Sequence, residues 1–498
     1  MKTKLRKALS IILCVFLLIP ALASCADSQT PGPTASGKPS VTPTSTGQNG
    51  DGASGEAKTP KIFPTPEPLS GELRVALGDN YDGHAAALVA GFMSRYPDVV
   101  VTLDYAVGPE EDLTTEEGVA AYCAKYGAFA TRMHEELQNG AGADVVDVSD
   151  FSIPLYEFSE QGIFYDLYRM MLDDPNFVRE DYFENIFEAL AYKNVLPAIP
   201  ATVSMDYVYL NKNVTGKLGI DADGIGAISP MQILEIYGRA LDENLVGRKF
   251  WLNCTDTGRT DLRNELYSYL DPKEKTADFN SPGFIAYLNA SWRVQTEKLV
   301  SEQWTVSISG DRKKVLFMSE EYDADALIYH STYFQLSDMA HMMETTQYST
   351  RAIRLGLGEH GEKGLFSAAS LYAIPESSKN KELAWAFIKY CIEESETVRY
   401  TVGPGQFSGD RFFDLIPINR NNLKKYVEAA EQRYWGRDVS EGCAALADWM
   451  ESAEIVAYLG FDLGEFDDIL TQFYDEQTIN AEECAQQMQA RAEEFFAG

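Results

Sequence analysis

The stretch from Gly71 to Leu103 limits most strongly what this chain can fold into. Leu73-Arg74-Val75-Ala76-Leu77 alternates apolar residues with others, as a strand does. Gly78-Asp79-Asn80 breaks the run. Asp82 is placed to cap a helix from about His84 to Tyr96, with Leu88, Phe92 and Tyr96 on one face and Val89 and Met93 beside them. Pro97 ends that helix, and Val99-Val100-Val101-Thr102-Leu103 follows as a β-branched strand. Strand–helix–strand is the building unit of a parallel α/β sheet, so the chain is predicted to be an α/β protein.

The alternation continues downstream. Ala143 to Val148 reads as a buried strand, with a helical stretch near Ile153–Glu160. Val203 to Leu210 reads as one further strand and Ala324 to Tyr329 as another. Ser229-Pro230 opens a helix at about Met231–Leu241, with proline at its first position. Ser377 to Asn380 supplies caps for a helix whose Leu383, Ala384, Phe387, Ile388 and Cys391 share a face. The last ~70 residues, rich in Ala, Glu, Gln and Leu, read as mainly helical, and no repeat of fixed period occurs.

Ahead of this body lies a different kind of sequence. Lys2, Lys4, Arg6 and Lys7 precede an almost continuous apolar run from Ala8 to Leu22, which ends in Leu22-Ala23-Ser24-Cys25. Basic residues, a short apolar run and then small residues make an export signal. The cysteine at that point resembles the lipobox of bacterial lipoproteins, in which it carries lipid and becomes the first residue of the mature chain. Residues 1–24 are thus expected to be a lipoprotein signal peptide. Residues 25–70 are expected to be the lipidated Cys25 and a disordered Pro/Gly/Ser/Thr linker, too poor in apolar residues to order itself. The ~430 residues that follow are too many for one core.

The net charge of −33 argues against nucleic acid as a partner, since such a body is repelled by phosphate backbones. Cys123, Cys254, Cys391, Cys443 and Cys484 remain downstream of the anchor. They are odd in number and lack C-x-x-C or zinc spacing, so buried hydrophobes are expected rather than a disulfide framework.

Four stretches, in order, resemble the extracellular solute-binding proteins of ABC importers, in the sugar-binding branch related to maltose-binding protein. Phe92-Met93-Ser94-Arg95-Tyr96-Pro97-Asp98-Val99 is similar to the family's F-x-x-x-Y-P-x-V. Ala143-Asp144-Val145-Val146 through Gln161-Gly162 is similar to its P-D-V-V and E-Q-G. Leu196-Pro197-Ala198-Ile199-Pro200 through Tyr209-Leu210-Asn211-Lys212-Asn213 resembles Y-G-L-P followed by Y-Y-N-K-D. Ser378-Lys379-Asn380-Lys381-Glu382 through Ala384-Trp385-Ala386-Phe387-Ile388-Lys389-Tyr390 is close to S-K-N-K-E-x-A-W-x-F-x-K-F. The chain departs from the family at Pro109–Gly142, a longer connection, at Ala198 in place of a glycine, and at Tyr329-His330-Ser331-Thr332-Tyr333 in place of Gly-x-W.

The resemblance implies the periplasmic-binding-protein type II fold, two α/β lobes with a ligand cleft between them. The expected N-terminal lobe is 71–203 plus 369–410, and the C-terminal lobe 204–368 plus 411–498. It also implies capture of a carbohydrate by hinge closure, delivery to ABC permease transmembrane subunits, no cofactor and a monomer tethered to the outer face of the membrane. A sugar needs aromatic faces and hydrogen-bonding side chains, and open α/β sheets bind ligands beyond the carboxyl ends of their strands. Asn80 and Tyr81 follow the first strand, and Asp150 follows the third. Asp206 lies at the first expected crossing between lobes, and Ser370 and Tyr372 at the return crossing. Tyr333 stands where the resemblance implies a stacking aromatic, and Trp435 is a further candidate.

Enzyme motifs are missing from the sequence. His134-Glu135-Glu136 has no second histidine at zinc spacing, and neither a G-x-S-x-G elbow nor a G-x-x-x-x-G-K-[ST] loop occurs. Asp221-Ala222-Asp223-Gly224 lacks the downstream ligands of a calcium loop and reads as a turn. Two alternatives stay open at this point. One is a lipid-anchored glycoside hydrolase, which needs only two suitably spaced carboxylates. The other is a ligand-sensing lobe for a membrane sensor kinase.

Overall fold

The computed structural model describes residues 69–79, 84–108, 115–149, 153–243, 265–296, 328–331, 350–401, 415–433, 440–457, 459–461 and 463–497. Cys25, Asn80, Tyr81, Asp150, Tyr333 and Trp435 lie outside these ranges.

Strand β1 (Gly71–Asp79), helix α1 (His84–Arg95) and strand β2 (Val99–Val107) form the predicted unit, and β1 pairs with β2 in parallel. Leu88 and Phe92 are buried on the helix face read from the sequence. Phe92 meets Phe387 edge-on, 5.2 Å between ring centres. The strand does not break at Gly78 but runs on to Asp79. Tyr126 packs onto the position a Cβ would take at Gly78, its hydroxyl 2.7 Å away, so a side chain there would have to displace that ring. Most of the long connection 109–142 is one helix, α2 (Glu116–Gln138), capped by Thr115, whose hydroxyl accepts from the Gly118 amide at 3.0 Å.

After β3 (Val145–Asp147) come four short helices: α3 (Leu155–Glu160), α4 (Leu167–Asp173), α5 (Glu184–Leu190) and, beyond two strands, α6 (Lys212–Lys217). The stretch read as one strand over 203–210 is two. β4 (Ala198–Met205) and β5 (Tyr207–Asn211) are separated at Asp206, where the chain leaves the neighbours of β4 for those of β5. Asn211 is fully buried and caps α6, accepting from the amides of Asn213 (3.0 Å) and Val214 (3.3 Å). That gives a physical reason for the asparagine in the Asn-Lys motif.

β6 (Ala227–Ile228) leads into α7 (Pro230–Asp242) through a reciprocal cap. The Ser229 hydroxyl accepts from the Gln232 amide at 3.2 Å, and the Gln232 side chain accepts from the Ser229 amide at 3.0 Å. The hairpin β7 (Leu270–Asp271) and β8 (Thr276–Ala277) precedes α8 (Pro282–Thr296). β9 (Ile328–Ser331) takes in the end of the strand read at 324–329, of which residues 324–327 lie outside the described ranges. β10 (Thr350–Leu357) and β11 (Lys363–Ala373) then lead to α9 (Lys381–Thr401). All five residues named for the buried face of α9 are buried. Its Trp385 donates to Asp174 Oδ2 at 3.0 Å, and Lys389 pairs with the same oxygen at 2.6 Å. The remaining elements are β12 (Ile416–Pro417), α10 (Arg420–Arg433), α11 (Ser440–Glu451), β13 (Ala453–Val456), α12 (Asp467–Tyr474) and α13 (Ala481–Ala497).

The main sheet runs β2-β1-β3-β11-β10-β5-β9, and β4 pairs with β11. Three apolar clusters lie on it. The first spans residues 73–209, parts of β11 and α9, and a later portion with Ile416, Tyr426 and Trp449. Those last residues fall beyond the boundary expected at 410/411, and β12 draws them in by pairing with β4. The second cluster gathers Leu266 to Leu288 with Phe461 to Ala492, and the third gathers Val208, Ile236 and Leu355 with their neighbours. Leu234 packs against both, so together they make a second body.

Candidate functional site

Strand polarity selects one edge of the first body. β1, β2 and β3 are parallel, so Asp79, Val107 and Asp147 end on the same side. β11 runs antiparallel to both β3 and β4, which brings the end of β4 and the middle of β11 to that side as well. Ser204 stands opposite Ser367, and Tyr372 opposite Asp147. From this edge the chain passes into the second body through Asp206 and back through β11.

Backbone amides at the edge are held by Asp147. Its carboxylate accepts from the Ser149 amide at 3.0 Å and from the Leu371 amide at 3.1 Å, while the Val148 amide donates to the Leu371 carbonyl at 2.7 Å. The loop carrying Asp150 is thus tied to β11 where it leaves β3. One residue away, Ser370 has a positive φ of 51° inside a strand. A non-glycine residue held there costs on the order of 1–3 kcal/mol, and such strain concentrates at functional sites. Across the strands, the Thr202 hydroxyl is buried with no hydrogen-bond partner. The Asp206 carbonyl accepts from the Leu355 amide at 2.9 Å, and its side chain is half-buried.

Of the eight predicted ligand residues, three are described. Asp206 and Ser370 stand at this edge. Tyr372 is 3% exposed and sits behind it, edge-on to Phe387 with 6.4 Å between ring centres. Tyr207 and Tyr209 are both buried, hydroxyl to hydroxyl at 3.2 Å. Cys391 is also buried, and burial pushes its thiol well above the ordinary cysteine value although the Tyr372 hydroxyl bonds to it. Asp221 caps the 3₁₀ turn Ala222–Gly224, the turn role read from the sequence.

Sequence reasoning missed two residues here. Tyr126, half-buried on α2, presents its ring beside Gly78 at the end of β1. The signal was a glycine inside a strand, which marks the close approach of another group. Asp147 reads in the sequence as part of a buried strand, which carries no signal of its bonds to the Ser149 and Leu371 amides. Among the described residues no cluster of His, Cys, Asp and Glu could hold a metal ion. A cavity of about 230 Å³ lies elsewhere, on the flank of the second body, lined mainly by Ile220, Ile225, Ile228 and Ile236.

No family model and no curated protein sequence matches the chain. Solved structures do. The sugar-binding protein MalE from Xanthomonas citri superposes with a TM-score of 0.57 at 13% identity, over 86% of this chain and 98% of that one. A periplasmic oligogalacturonide-binding protein from Yersinia enterocolitica gives 0.56 at 14% identity, over 86% and 99%. An ABC substrate-binding protein from Listeria monocytogenes, solved with cycloalternan, gives 0.52 at 12% identity, over 86% and 100%. At such identities the likeness establishes the fold alone. The chain has the two-lobe α/β fold of the extracellular solute-binding proteins.

Proposed function

Starting from that fold, we propose that the chain is the lipid-anchored substrate-binding protein of an ABC importer. It captures an oligosaccharide or glycoside between its two bodies and delivers it to a membrane permease. One observation carries the reading. Two of the described crossings, from β4 to β5 and along β11, lie on the side toward which β1 and β3 point, so a ligand held there sits beside the hinge. Hinge closure is then driven by contacts that exist only when both bodies meet the ligand. Binding, not bond cleavage, is the chemistry, in keeping with neighbours that are all named as binding proteins.

Asp206, Ser370, Tyr126 and the unpartnered Thr202 hydroxyl are proposed as the described part of the site, with Asn80, Tyr81, Asp150, Tyr333 and Trp435 completing it. Tyr372 is proposed to support the edge from behind. Carboxylates at the strand ends, Asp147 and Asp206, together with a net charge of −33, favour neutral glycans over uronates. Cys25 is proposed as the lipid anchor. No described helix is long and apolar enough to cross a membrane.

The test is a thermal-shift screen of maltose, acarbose, neutral oligosaccharides, oligogalacturonides and peptides, followed by product analysis of every hit. A ligand that binds the folded form raises its melting temperature in proportion to the logarithm of its concentration. Saturable stabilisation by a neutral glycan, without products, is the expected result. Turnover would replace the reading with a hydrolase, and a response confined to peptides would remove the carbohydrate. In parallel, Cys25→Ala should abolish lipid labelling and leave the glycan shift intact.

A further inference from the structure

The two bodies also touch beside a third crossing, where the chain passes from Leu459 of the first cluster to Phe461 of the second. The β7–β8 hairpin belongs to the second body through Leu270 and reaches the first at α3 and α5. Lys273 Nζ donates to the Ala189 carbonyl, in the last turn of α5. Carbonyls at a helix C-terminus lack intrahelical partners, and a cation there is favoured by the helix dipole. The same ammonium lies 5.7 Å from the centre of the Tyr156 ring, which is 5% exposed and part of the first core. Burial pushes the Lys273 ammonium below the ordinary lysine value. Gly460 closes the junction. With φ at +79°, it lets two groups approach so closely that a Cβ would stand 2.6 Å from Tyr156 Cδ2 and 2.9 Å from Pro272 Cβ. Lys275 and Glu160 add an exposed pair at 4.0 Å, worth little by itself.

Relative motion of the bodies has to break or remake this junction. A half-buried ammonium cannot slide gradually off its carbonyl without losing both the acceptor and the ring. Contacts of this kind have discrete made and broken states. We propose that the β7–β8 hairpin is a strap between the two bodies, and that Lys273 on the Ala189 carbonyl sets the balance between their arrangements before ligand arrives. The proposal rests on the reading that capture moves the bodies against one another.

Lys273→Met tests it, since methionine keeps an apolar stem over Tyr156 and removes the donor. Bio-orthogonal spin labels at Lys379 and Gln486, both exposed, report the separation of the bodies in unliganded full-length protein by pulsed dipolar spectroscopy. The variant should shift the distance distribution. Its apparent Kd for maltotriose should change by about fivefold, tightening if short separations gain and weakening if long ones gain. Gly460→Ala, which wedges Tyr156 from Pro272, should shift the distribution too and serves if the methionine variant folds poorly. Distributions identical to wild type in the folded variants overturn the strap. A shifted distribution with no response to any glycan keeps the strap and removes the ligand reading. A wild-type distribution with intact maltotriose binding does the opposite.

Discussion

Glu265 offers the sharpest physical test of the second body. It is 5% exposed, next to Leu266 at the start of the described segment 265–296, and its carboxyl is pushed up to about 7 by burial, against hydrogen bonds from Tyr269 and Ser268 that pull it down. The folded protein therefore holds a proton that the unfolded chain, with a pKa near 4.5, releases earlier. Between those values the folded state binds more protons than the unfolded one, so stability falls as pH rises, and the loss is complete above pH 7. A shift of this size corresponds to about 3 kcal/mol. Glu265→Gln keeps the shape and the hydrogen-bonding capacity without the charge. The variant should match wild type at pH 4.5 and exceed it by up to about 3 kcal/mol at pH 8, read as the urea midpoint followed by tryptophan fluorescence at each pH. Parallel pH dependences of the two proteins would refute the reasoning, because they would mean that Glu265 ionises alike in both states.

Three further outcomes are expected. Trp385→Phe removes one of two donors to Asp174 Oδ2 and should cost about 1–2 kcal/mol in urea unfolding, whereas a neutral result would show that Lys389 alone holds that carboxylate. The Arg132 guanidinium, and then Arg74, hold Asp104 below the ordinary aspartate value against burial. That stability is present above about pH 4 and is lost as pH falls through the lowered pKa. Arg132→Met should flatten the acid limb of a melting-temperature profile, by less than about 1 kcal/mol since Arg132 is 41% exposed. Ser370→Gly relieves the positive φ and should raise the melting temperature while weakening glycan binding, and a tighter ligand in that variant would contradict its place in the site.

Periodicity made the first unit and the buried face of α9 readable, because both are local patterns of apolar residues that pack as written. Asp206 was not readable as a break. Nothing in Ser204-Met205-Asp206-Tyr207 differs from a continuous strand until β10 and β11 compete for its neighbours, a long-range choice. The proposed site was legible to the extent that strand ends are. Asp206 and Ser370 follow from polarity and crossing, whereas Tyr126 arrives from a helix forty-eight positions beyond Gly78 and announced itself only through that glycine. The role of Trp385 in the Ala-Trp motif likewise needed its partner, since Asp174 lies 211 residues away.

β11 also dictates an order of assembly. Leu371 donates to Asp147 across 224 residues, and β4 has β11 as its main neighbour. While the chain is being made, β3 and β4 exist long before the strand that completes their sheet. Their polar edges stay open until residue 373 has emerged, and contacts at such separation form slowly. The first body therefore cannot finish on its own N-terminal segment. A chain that stays incomplete so long is exposed in that interval to the edge-to-edge association that β11 later prevents.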